Sequence, residues 1–327
     1  MSKILTATRT MHSWHPPLFW FAVSMVLVAI APAIGYVVDD RILVGAPIWG
    51  KPLKFALSFA IYAPTLAWMI TLIRRRWLHR IAWWSGTAFA IASLLEMVAI
   101  IGQVIRGTRS HFNRETELDS TIFNVMGGLV SSMFTFSLIV AIILMLTPIK
   151  DASVKWAVRL GSLISVLGLS TGFLMIQETP EQLADGDAAT TMGAHGVGVV
   201  DGGPGIPILG WSTEGGDLRI SHFIGMHALQ AIPLLALVLA ALFAYRLTQR
   251  TRLQIVLLAA LAYAGVFAIV LWQALRGQSI VSPDATTIAV TLALAGTVAI
   301  GTLAIVIDAR RHLPTTTEPE TQEEIRS

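Results

Sequence analysis

Eight residues between positions 187 and 230 carry side chains able to bind ions, move protons or ligate metals, and they fall at the mouth of an apolar stretch. His195, Asp201, Glu214, Asp217 and Arg219 lie in a glycine-rich segment, and His222, His227 and Gln230 enter a run that continues to Ala244. On a helix of 3.6 residues per turn His222 and His227 share one side, at depths differing by about 7 Å. One ion would reach both only with distortion. Neutral imidazoles so placed could ligate b-type haem or a divalent metal, with His111 and His195, expected on the same side of the chain, completing a set of four: His111, His195, His222 and His227. Packing and interfacial hydrogen bonding is the alternative for each of them.

A second group has the chemistry of an anion site. Lys51, Lys54, Ser58, Tyr62 and Thr65 fall within an arc of about 80° on one helix, a polar stripe that needs a protein or water partner because lipid offers none. Glu96 is the one acidic residue within an apolar run; with Gln103 and Arg106 it makes a line from mid-run to the run's end. Such a line suits a proton or cation relay, and equally a carboxylic acid bonded to a neighbouring helix. Arg106, Arg109, Arg114, Arg219 and Arg276 can hold carboxylate or phosphate through paired N–H groups. The candidate ligand set is therefore Lys54, Glu96, Gln103, Arg106, Arg219 and Gln230. The absence of cysteine excludes disulfides, thiolate ligands and thiol catalysis. Ser212 lacks the G-x-S-x-G frame of a hydrolase nucleophile.

The elements that must position these groups are membrane helices. Hydrophobic residues make up 54% of the 327 and charged ones 13%, about half the charged share of a soluble domain. Runs near the length that crosses a hydrocarbon core occur at 17–38, 52–73, 81–105, 119–147, 155–176, 221–245, 252–275 and 285–308. None alternates like a barrel strand, so the fold class is all-α, a polytopic bundle of about eight transmembrane helices. Fourteen positive residues fall on one side (Lys3, Arg9, Arg74, Arg75, Arg76, Arg80, Lys150, Lys155, Arg159, Arg246, Arg250, Arg252, Arg310, Arg311). Eight fall on the other (Arg41, Lys51, Lys54, Arg106, Arg109, Arg114, Arg219, Arg276). The bias places both termini in the cytoplasm and the glycine-rich loop outside. It also accounts for the net charge of +3 without nucleic acid. The first run is longer than a signal-peptide core and is expected to be retained.

Gln103-Val-Ile-Arg106-Gly107 resembles Gln273-Ala-Leu-Arg276-Gly277, and Pro64 matches Pro233 at nearly the same offset. A four-helix unit used twice explains both, and four spans per unit would leave the halves parallel. The expected organisation is a first half over 1–150, a second half over 151–312 with an extracytoplasmic loop at 178–220, and a polar, disordered tail over 313–327.

The strings Trp49-Gly-Lys-Pro-Leu-Lys-Phe55, Arg106-Gly-Thr-Arg-Ser-His-Phe-Asn113 and the segment from Gly210 to Gln230 resemble those of a bacterial integral-membrane family with no assigned activity. The resemblance spans most of the membrane region and implies no site. The four-plus-four plan is similar to that of haem A synthase in architecture alone, because the first half lacks paired histidines within its runs. The expectation is an inner-membrane protein, embedded in the lipid bilayer, with an outward-facing site that binds or transports a small anionic or amphiphilic molecule. The alternatives are a haem- or metal-binding membrane oxidoreductase and a structural or assembly protein of the envelope.

Overall fold

The computed structural model describes residues 2–243 and 245–311; the tail expected over 313–327 lies outside them. The chain forms α1 (Ser2–Trp14), α2 (Pro16–Val38), α3 (Gly50–Thr71), α4 (Arg76–Arg106), α5 (Glu117–Leu146), α6 (Ala152–Ser170), the short α7 (Gly172–Met175) and α8 (Pro180–Asp185), then α9 (Leu218–Leu242), α10 (Gln249–Leu275) and α11 (Ala285–Arg311). Among the described residues eight helices are long and apolar enough to span a membrane, and they coincide with the eight apolar runs. The protein is an all-α, multi-pass membrane bundle.

Helix α1 was not among the expected elements. It ends at His15, whose backbone is extended (φ −163°, ψ 92°) ahead of Pro16 and Pro17, because a residue before proline is driven out of the helical region while proline itself suits a first helical turn. The His15 ring is fully buried. Its Nδ1 accepts the Leu18 N–H at 3.2 Å, which leaves Nε2 to donate to Trp83 O at 2.8 Å. One imidazole thus caps α2 and fastens it to α4.

The neighbours within α2–α5 recur within α6, α9, α10 and α11. The first helix packs on the second and third, the second on the third, and the third on the fourth, in both sets. Where the sets meet, α3 lies against α9, and Ser58 Oγ approaches His227 Nε2 at 3.3 Å across a separation of 169 residues. Pro64 and Pro233 have that same separation.

The Q-x-x-R-G segments also share one local structure. Gly107 and Gly277 take positive φ (75° and 70°), open to glycine without strain. Each glutamine amide turns back to a carbonyl six residues on: Gln103 Nε2 donates to Arg109 O at 3.3 Å, and Gln273 Nε2 to Ser279 O at 2.8 Å. Arg106 pairs with Asp119 in the first turn of α5 at 2.7 Å, and Arg276 pairs with Asp284, which precedes α11.

Candidate functional site

The long connection folds into a cap over one end of the bundle, built around two aspartates. Asp201 accepts the backbone N–H of Gly196 at 2.8 Å and of His195 at 3.0 Å, and its Oδ2 lies 2.7 Å from His195 Nδ1. Burial would push this carboxyl upward, but the hydrogen bonds and charge of His195, with the two amides, hold it below the ordinary aspartate value. The pairing puts the proton of neutral His195 on Nδ1 and leaves Nε2 as a lone pair. Asp217, 1% exposed, caps α9 by accepting the Arg219 N–H at 3.0 Å and also accepts the Ser212 N–H at 2.8 Å. The Arg219 guanidinium grips the same carboxylate and donates to Gly210 O at 2.6 Å.

A strand pair, Gly196–Val197 with Gly216–Asp217, closes the cap. Arg114 N–H donates to Thr190 O and Met192 N–H to Phe112 O, so the cap is bonded to the α4–α5 turn that carries His111. Gly45 meets Gly202 so closely that an added Cβ would stand 2.3 Å from Gly202 O. The segment at 178–187 holds α8, with a capping box between Thr179 and Gln182.

Beneath the cap, three titratable groups from three segments meet. Lys51 Nζ, in the first turn of α3, lies 2.9 Å from His111 Nδ1, and His111 Nε2 lies 3.4 Å from Glu96 Oε1. The last distance exceeds an ordinary hydrogen bond. Glu96 is 0% exposed, and among the described residues neither of its oxygens has a hydrogen-bond partner. Burial, reinforced by the Lys51 ammonium and the neighbouring His195 ring, holds His111 well below the ordinary histidine value, so its ring is neutral and accepts from the lysine. Phe112 takes φ 61° beside it and packs on the His195 ring at 4.9 Å. Lys54, one turn deeper than Lys51, donates to Leu209 O of the cap at 2.8 Å.

The other expected site residues serve contacts of their own. Gln103 and Arg106 do not continue a line to Glu96; both turn to Asp119, which Gln103 Nε2 reaches at 3.0 Å, and so pin α4 to α5. Arg219 is committed to Asp217 and Gly210. His222 Nδ1 donates to Gly168 O at 2.9 Å, and the imidazole sits in the groove of α6. His227 lies between Ser58 and Gln230, whose Oε1 is 3.2 Å from His227 Nδ1, while Gln230 Nε2 is buried with no hydrogen-bond partner among the described residues. The four histidines are thus held in different contacts. Among the described residues no group of three or more His, Cys, Asp or Glu side chains is placed to hold a metal ion.

Of the polar stripe on α3, Lys51, Lys54, Ser58 and Tyr62 make tertiary contacts, whereas the Thr65 hydroxyl returns to Ile61 O. Tyr62 reaches Ser137 Oγ at 3.3 Å and, with Ser162 and Ser165, lines a small cavity deep between α3, α5, α6 and α9. Two members of the surface site escaped the sequence-based ligand set. Lys51 stands in the polar stripe of α3, and its partner His111 is brought to it from a turn 60 residues away. Asp201 was visible as a capable side chain, but its partner His195 is defined only by the folded cap. No protein-family model, curated protein or solved structure matches the chain.

Proposed function

We propose that this chain is a bacterial inner-membrane protein with cytoplasmic termini, and that its outward end binds or moves a small anionic or amphiphilic molecule under the cap. The observation that carries this reading is the state of Lys51 and Lys54. Two partly buried ammonium groups stand one turn apart, and their hydrogen bonds run to an imidazole nitrogen and a backbone carbonyl rather than to carboxylates. A desolvated cation without a countercharge is costly, and an entering anion would remove that cost. The neighbouring surface is apolar: Trp211 of the cap packs on Phe223 at 6.1 Å, and Phe223 on His227 at 4.5 Å. That favours a ligand with one charged end and one hydrocarbon end. Haem or metal ligation by His111, His195, His222 and His227 has less support, because the four imidazoles engage different partners instead of converging.

Calorimetry on the purified protein in lipid nanodiscs tests this, with octanoate as an amphiphilic anion and inorganic phosphate as a hydrophilic one. Octanoate is expected to bind saturably, and Lys51→Met or Lys54→Met each to weaken it about tenfold, the effect of losing one charge-assisted hydrogen bond. Arg41→Met, which removes an exposed cation on the same side that pairs with Asp39, is expected to leave binding unchanged. Saturable binding of neither anion, or binding indifferent to both lysines, would refute the proposal. Orientation has its own test: reporter fusions after Arg76, Lys150 and Gln249 should signal cytoplasm and a fusion near Asp185 periplasm, and a cytoplasmic signal at Asp185 would overturn the assignment.

A further inference from the structure

We propose that Lys51, His111 and Glu96 form a proton wire that loads a proton from water on the cap side onto Glu96 and links that loading to anion binding at Lys51. The link to an anion rests on the function proposed above; the wire does not. His111 stands between the other two, 2.9 Å from Lys51 Nζ through Nδ1 and 3.4 Å from Glu96 Oε1 through Nε2. Its side chain is 19% exposed while that of Glu96 is 0% exposed. The imidazole, in contact with both groups, therefore bridges the partly exposed lysine and the buried carboxyl. Among the described residues no side chain or backbone N–H donates to either oxygen of this carboxyl group, so it does not fasten one helix to another. It is placed where a proton can reach it through one ring.

The transfer balances without a co-reactant. The Lys51 ammonium gives a proton to Nδ1 of neutral His111, and His111 releases its Nε2 proton to Glu96 Oε1. An ammonium, an imidazole and a carboxylate become an amine, an imidazole of the other tautomer and a carboxylic acid. The two buried charges disappear together, which low-dielectric surroundings favour. A proton from water then restores the Lys51 ammonium, and an anion seated against it makes the occupied site neutral. One proton accompanies each anion, and by linkage the anion raises the affinity for the proton as much as the proton raises that for the anion.

The other charged groups around the wire form local pairs. Glu96, Lys54 on the same helix, Asp201 in the cap and Arg219 at the start of α9 act on Lys51, while Lys51 and His195 act on His111. Asp201 is bonded to His195 and Arg219 to Asp217, which leaves Lys54, among the described residues, as the remaining unneutralised charge beside the wire.

Infrared difference spectroscopy of the protein in nanodiscs, titrated with pH and without any anion probe, reads the loading directly. The expected result is a carbonyl stretch of a buried carboxylic acid that titrates and is absent in the near-isosteric Glu96→Gln. Lys51→Met and His111→Gln should each move its midpoint by about one pH unit or more. A spectrum with no Glu96-dependent band at any pH, or a band indifferent to both substitutions, overturns the wire. Coupling is read by octanoate calorimetry in two buffers of different ionisation enthalpy, where uptake of about one proton per anion separates the heats. Equal heats in both buffers overturn the coupling. A titrating Glu96 band in a protein that binds no octanoate supports the wire and refutes the anion site instead.

Discussion

Gly168→Ala is expected to lower the melting temperature of the detergent-solubilised protein sharply, and Gly168→Val to abolish its folded expression. Helices α6 and α9 approach so closely at this point that a Cβ on Gly168 would stand 2.3 Å from the Gly225 carbonyl carbon and 2.4 Å from its Cα. Gly225 meets the mirror-image restriction, 2.4 Å from Gly168 Cα. Both obstacles are backbone, so no rotamer change relieves them. Small residues let membrane helices reach this distance, where dispersion and interhelical hydrogen bonds replace the missing hydrophobic drive. Two such bonds depend on it: His222 Nδ1 to Gly168 O, and Ser165 Oγ to Met226 O at 2.9 Å. Overpacking of a well-filled core costs about 1–3 kcal/mol, and separating the two helices adds the loss of these bonds. Gly128→Ala is the control, since a Cβ there meets nothing within 4 Å and alanine favours the helix by about 0.5–1 kcal/mol. Equal melting temperatures for the Gly168 and Gly128 variants would show that the close crossing does not hold the bundle together.

The spans were legible because lipid imposes both a length and a polarity on them. Their ends were less so. Helix α4 begins at Arg76 rather than 81, since Arg76 and Arg80 depress hydropathy without interrupting backbone hydrogen bonds, and long basic side chains can reach back to water. Helix α1 escaped notice because it lies ahead of the Pro-Pro break and carries no membrane-length run. Within the site, helical periodicity correctly grouped Lys51, Lys54, Ser58 and Tyr62, which reflects local geometry alone. It could not choose partners. Helical spacing puts Glu96, Gln103 and Arg106 in one line, yet Asp119 on the next helix claims the last two and His111 from a turn claims the first. Of the apolar residues in the glycine-rich loop, Trp211 packs on Phe223 and Leu209 O accepts from Lys54, whereas Ile208, at φ 70°, remains 76% exposed.

Acidification from pH 7.5 to 5.5 is expected to loosen the cap while the membrane helices keep their protection. His111 and His195 are both held below the ordinary histidine value, His111 by burial and then by the Lys51 ammonium and the His195 ring beside it, and His195 by burial against the opposing pull of Asp201. Their stabilising contribution is complete above the open-state value of about 6.5. Below it the opened cap binds protons that the closed cap refuses, so closure weakens as pH falls toward the folded values. Each group costs up to about 1.4 kcal/mol per pH unit within that window. Asp201 acts elsewhere on the scale: its carboxyl is depressed, so its contribution is present above about pH 4 and is lost only below that. The two histidines open together because the cap is bonded to the turn that carries His111, through Arg114 N to Thr190 O and Met192 N to Phe112 O. Hydrogen exchange of the segment 193–217, corrected for intrinsic rates, should quicken by about tenfold or more at the lower pH, while α10 stays unchanged. His111→Gln should remove about half of that pH effect, because the glutamine does not titrate. Equal protection of the cap at both pH values would mean that neither imidazole is kept neutral by closure, and the account of the cap as a burial device for His111 and His195 would fall.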